Sequence, residues 1–187
     1  MARTAWYSPQ RWIKCHNPGA GGEFASMTTF NQTGPVSFEA AQAMVASDAA
    51  LRDALERVNQ LDFTMLKRKL MEERAWTSEF SDEVESLYRR FLALNARYPD
   101  RKICPTGPID AFWHAHILDT RAYVHDCDCV FGQYLHHFPY FGMRGPEDHA
   151  ALQKAFGESV ELFVIHFGVD PTAGDILARS CSSQRCP

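Results

Sequence analysis

The run Phe80-Ser-Asp-Glu-Val84-Glu-Ser-Leu87-Tyr-Arg-Arg-Phe91-Leu-Ala-Leu94 sets large apolar residues at offsets of 4, 7, 11 and 14 from its start. That spacing follows the 3.6-residue period of an α-helix, with acids and arginines filling the gaps. The segment therefore predicts an amphipathic helix with one buried stripe. Pro99 closes it, because proline disfavours helical backbone at the residue before it.

The segments on either side read the same way. Ser37 is a helix N-cap with Glu39 in the first turn, and Met44, Leu51, Leu55 and Val58 follow at helical spacing, with Ser47-Asp48 dividing the stretch in two. A short helix starts at Asp62 and carries Phe63, Leu66 and Leu70 on one face. Pro108 suits the first turn of a helix running through Trp113 and Tyr123 towards Cys129, with Gly132 as its stop. Its core-facing stripe is Ile109, Trp113, Ile117, Thr120 and Val124. Residues 133–145 read as an ordered, aromatic loop. Pro146 opens a further helix that buries Leu152, Phe156, Val160, Phe163 and Phe167, keeps His166 opposite that stripe, and stops at Gly168. Asp170-Pro171 caps a last short helix through Leu177. No alternating strand pattern and no repeat appears. The expected fold class is all-α: a single compact multi-helix domain over 36–178, of about five to seven helices. An irregular N-terminal arm (1–35) precedes it and a loose C-terminal tail (179–187) follows.

Composition excludes several functions. The chain has 187 residues, 45% hydrophobic and 22% charged, as in ordinary globular proteins. Its formal charge is −4, and its longest basic run is Lys67-Arg68-Lys69, which argues against a nucleic-acid partner. The apolar stretch 160–169 is interrupted by Glu161 and His166 and is too short to cross a bilayer, so no membrane association is expected. The N-terminus lacks the apolar core of a secretory signal, which points to a cytoplasmic protein. In that setting the six Cys read as thiols rather than a disulfide scaffold, including the pair Cys181 and Cys186 on the tail.

Five of the eight His fall between residues 114 and 137, which marks that window as the place to look for chemistry. Asp110 and His114 are four apart and so share a helix face, where they can chelate one ion. His116 lies about 200° from His114 around the helix axis, so it borders the core and bonds to backbone instead. His136 and His137 are neighbours on a loop, where two rings can turn towards one ion. The expected metal ligands are thus His114, His136, His137 and Asp110. Asp110, Tyr123 and Cys127 are the expected catalytic groups: a carboxylate, a phenol and a thiol beside the site. Imidazole with carboxylate suits one divalent transition metal ion, and iron, copper and zinc all remain open.

The string Ile109-Asp-x-x-Trp113-His114-x-His116-Ile-Leu, followed by Cys127, Phe131-Gly132 and Leu135-His136-His137-x-Pro139, resembles the glycine-rich domain-containing protein-like family. In that family the pattern is Val/Ile-Asp-x-x-Trp-His, and the position of His116 is often another residue. The resemblance implies a shared site and a helical body; the glycine-rich domain itself has no counterpart here.

Two functions follow. One is a small metalloenzyme, with an oxidoreductase favoured for oxidative tailoring of a small-molecule or peptide substrate in a pocket walled by Phe138, Tyr140 and Phe141. The other is a non-catalytic, metal-stabilised helical module whose surface binds a protein partner.

Overall fold

Ser37 starts the first helix as expected. Its side chain accepts a hydrogen bond from the Ala40 N–H, and α1 (Phe38–Ser47) follows. Asp48 then ends α1 and begins α2 (Ala49–Asn59). Its N–H bonds back to the Met44 and Val45 carbonyls while its carboxylate accepts from the Leu51 N–H. The remaining helices are α3 (Thr64–Arg74), α4 (Ser78–Arg97), α5 (Gly107–Leu118), α6 (Thr120–Phe131) and α7 (Pro146–Phe167). The computed structural model describes residues 37–173, all within one compact unit, and among them there are seven helices and no strand. The fold is all-α. No helix among the described residues is long and apolar enough to cross a membrane. The arm 1–35, most of the expected helix through Leu177, and the tail with Cys181 and Cys186 lie outside the described residues.

The amphipathic run behaves as its spacing dictates. Phe80, Val84, Leu87, Phe91 and Leu94 are all buried, and α4 packs against α2, α3, α5 and α6 as the central helix. Burying each such side chain is worth about 1.5–3 kcal/mol, which makes α4 the main organiser of the core.

Two expectations change. The single helix expected from Pro108 towards Cys129 is two helices, broken at Asp119, whose carboxylate accepts from the Ala122 N–H and starts α6. The break resets the helical phase. Instead of one stripe ending in Thr120 and Val124, which are exposed, the buried sets are Ile109, Phe112, Trp113 and His116 on α5 and Tyr123, Asp126, Cys127 and Val130 on α6.

The second change is on α7. Its innermost residues are Ala155, Ser159, Leu162, Phe163 and His166, while Leu152, Phe156, Val160 and Phe167 are half-buried. Two polar residues face inward because each has a partner: Ser159 Oγ accepts from the Cys104 N–H at 2.8 Å, and His166 Nε2 meets Tyr98 Oη at 2.7 Å. Gly132 and Gly168, both at positive φ, end α6 and α7.

Candidate metal centre

The apolar face of α5 is fixed against α4 and α6, which turns its opposite face outward at the first two turns. Asp110 and His114 project from that face. The loop 132–145, leaving α6 at Gly132 and entering α7 at Pro146, brings His137 over them. His114 Nε2 and His137 Nε2 are 3.2 Å apart, His137 Nε2 is 3.2 Å from Asp110 Oδ1, and His114 Nε2 is 3.7 Å from Asp110 Oδ2. These three side chains form a group that can hold a metal ion.

Bond geometry supports that reading. Ligands bonded to one ion at about 2.0–2.2 Å and set 90–110° apart lie roughly 2.8–3.6 Å from one another, and the contacts here are 3.2, 3.2 and 3.7 Å. Protons alone serve the trio poorly. The single Nε2 position of His137 faces both an imidazole nitrogen and a carboxylate oxygen, and one N–H cannot donate well to both. A cation among the three takes a lone pair from each imidazole and from the carboxylate at once.

The loop is tied down from behind. The Trp113 and His137 rings meet in a T-shaped contact, with centroids 4.7 Å apart. The Trp113 Nε1–H donates to Tyr123 Oη at 2.8 Å, and the Tyr123 hydroxyl donates to the Leu135 carbonyl at 2.6 Å, two residues before His137. At the far end of the loop the Asp148 carboxylate accepts from the Gly142 and Arg144 N–H groups and pairs with the Arg144 guanidinium. Arg144 and those two N–H groups hold the Asp148 carboxyl down at about 2. Gly142 adopts φ 90°, and a Cβ there would meet Leu152 Cδ2 at 2.5 Å, so the loop's close approach to α7 requires glycine.

Of the expected site residues, Asp110, His114 and His137 come together. His136 lines the same cleft but lies outside the cluster, exposed, with its ring against Tyr134 at 4.8 Å. Tyr123 and Cys127 are buried behind the site rather than beside it. Burial pushes the Tyr123 phenol and the Cys127 thiol up, which keeps both protonated at neutral pH. His116 is not at the core edge bonded to backbone. It is buried, with Nδ1 2.9 Å from Tyr88 Oη and Nε2 3.1 Å from Asp126 Oδ2. Neither Tyr88 nor Asp126 stands out in the sequence as a partner for His116. An acid at position 126, on the apolar stripe of Tyr123, Cys127 and Val130, was the available sign of a buried partner.

Asp110, His114 and His137 line one cleft of about 1050 Å³, whose walls include Leu135, Phe138, Phe141 and Phe156.

The sequence model of a family described as UCP032817-like matches residues 53–162, more than half of the chain and a stretch containing all three clustered residues. This overturns the resemblance to the glycine-rich domain-containing protein-like family, and the site rests on its geometry instead. No curated protein and no solved structure matches the chain.

Proposed function

The chain belongs to the UCP032817-like family, and we propose that it is a mononuclear metalloenzyme, holding one divalent transition ion on Asp110, His114 and His137 and acting on a small molecule or peptide in the adjoining cleft. The observation that carries this reading is the convergence of two imidazole nitrogens and the Asp110 carboxylate, with contacts of 3.2–3.7 Å, on the wall of a cleft. Two imidazoles and one carboxylate on one side of an ion leave positions for substrate on the other. That donor set belongs to non-haem iron oxygenases and also to hydrolytic zinc sites. With His136 outside the cluster, the three-His set that suits copper is lost, so iron and oxidative chemistry come first and zinc second.

When bound, the ion supplies a Lewis acid and, in the case of iron, a redox centre. The rest falls to the chain's own residues. Asp110 offsets part of the ion's charge. Trp113 packs against the His137 ring and the Tyr123–Leu135 hydrogen bond holds the loop two residues before it, so together they limit where that ring lies. Phe138 and Phe141 supply an apolar wall that displaces water from the reacting group.

The exposed Phe138, Tyr140 and Met143 at the loop rim favour a second reading, a metal-stabilised surface for a protein partner. One experiment separates the two. Azide added to the cobalt- or iron-loaded protein should shift its absorption spectrum, because an open position accepts it, and chelation should move the melting temperature by only a few degrees. An unchanged spectrum, with chelation lowering the melting temperature by many degrees, would replace the enzyme by the binding module.

A further inference from the structure

The walls of the cleft carry an unbalanced charge. Four cations border it, Arg57, Arg101, Lys102 and Arg144, against a single carboxylate, Asp110. This is a local reversal in a chain whose formal charge is −4. Two of the four are already neutralised. Arg57 pairs with Asp53 and donates to the Val130 carbonyl, and Arg144 is held by Asp148. Arg101 and Lys102 have no carboxylate partner among the described residues. Instead each cation lies over an aromatic ring, Arg101 over Tyr98 at 5.4 Å and Lys102 over Phe141 at 4.3 Å. Such contacts hold a cation in place without cancelling its charge.

The segment bearing them is well anchored. The Arg101 N–H bonds to the Tyr98 carbonyl at 3.0 Å, and the Cys104 N–H bonds to Ser159 on α7. Gly107, at the positive end of the α5 dipole, borders the same cleft and adds to the field. Apolar surface from Leu135, Phe138, Phe141 and Phe156 completes the walls. The volume of about 1050 Å³ is at the upper end of the range for small-molecule sites, so a ligand much larger than a simple inorganic anion fits.

We propose that the substrate is an organic anion with an aromatic or broadly apolar body, its carboxylate or phosphate seated between Arg101 and Lys102 and its body against the Phe138–Phe141 wall. This inference rests on the cleft being the substrate site of the enzyme proposed above. The anion-binding groups are not metal ligands, so the charge preference is measurable without metal.

The test uses three probes that share one ring system, 2-naphthoate, 2-naphthyl phosphate and neutral 2-naphthamide, titrated calorimetrically into the metal-free and the metal-loaded full chain. At least one of the two anions should bind the metal-free protein about tenfold more tightly than the amide, the effect of a single charge-assisted hydrogen bond. Which anion does so distinguishes a carboxylate from a phosphate substrate. The advantage should shrink as salt is raised. An Arg101→Gln/Lys102→Gln double variant, altered only at exposed side chains, should lose the advantage and still bind naphthamide normally. Equal affinity for anions and amide, absence of binding by all three, or an unchanged anion advantage in the double variant would overturn the proposal. Failure of the metal site alone gives a different result: no metal uptake, with the anion preference intact.

Discussion

Replacing Tyr123 by Phe removes one oxygen and leaves the ring in place, so no cavity opens. That oxygen accepts from Trp113 Nε1 at 2.8 Å and donates to the Leu135 carbonyl at 2.6 Å. Trp113 is buried, so its N–H loses its acceptor outright, which costs about 1–3 kcal/mol. Leu135 is half-buried, and its carbonyl can recruit water, so its share lies near the low end of that range. The sum is roughly 2–4 kcal/mol, or about 5–15 °C in melting temperature for a body of this size. Metal affinity should fall as well, by about 10–100-fold, because Leu135 and Trp113 together orient His137 and Tyr123 touches no ligand itself. Thermal unfolding of the metal-free protein reads the first effect, and calorimetric metal titration reads the second. A variant with the expected loss of stability but wild-type metal affinity would refute the positioning role of the Trp113–Tyr123–Leu135 chain.

Two further outcomes follow from buried histidines away from the site. His116→Asn keeps a polar atom near the Nδ1 position that meets Tyr88 but withdraws the Nε2 partner of Asp126, and leaving that buried carboxylate unmatched should cost about 3–5 kcal/mol while metal stoichiometry stays at its wild-type value; loss of metal from a folded variant would contradict the structure. Burial holds His166 below its ordinary value of 6.5, and among the described residues no acceptor faces Nδ1 for a second N–H to donate to. Between the two values the unfolded chain binds a proton that the folded chain refuses. The stabilising contribution of neutral His166 is therefore complete above about pH 6.5 and declines as pH falls through the lower, folded value. Denaturant unfolding of metal-free protein at pH 7.5 and 5.5 should show a smaller pH-dependent loss in His166→Gln than in the wild type, and equal losses would contradict this.

Where local chemistry decides, the sequence was legible. The stripe from Phe80 to Leu94, the Ser37 cap, the division at Ser47-Asp48, and the Gly132 and Gly168 stops all act through residues within one or two turns, and the structure agrees with each. The same locality made Asp110 and His114 recognisable as a pair. What the pattern did not reveal depended on distant partners. The break at Asp119 was masked because Ile117, Thr120 and Val124 continue a plausible helical stripe. The inward faces of Ser159 and His166 became acceptable only through Cys104 and Tyr98, more than fifty residues away in sequence. The choice between His136 and His137 is of the same kind. Adjacent loop residues point in different directions, and Trp113 against one ring and Tyr134 against the other decide which imidazole reaches Asp110.

That choice gives the most direct test. Untagged protein, stripped and reloaded with iron(II) or zinc(II), is assayed for bound metal per chain in the wild type and in Asp110→Ala, His114→Ala, His137→Ala and His136→Ala. One ion per chain is expected in the wild type and in His136→Ala, and well below one in the other three, each of which removes a donor from the 3.2–3.7 Å cluster. Full occupancy in the folded His114→Ala or His137→Ala variant, or loss of metal on replacing His136 alone, would contradict it.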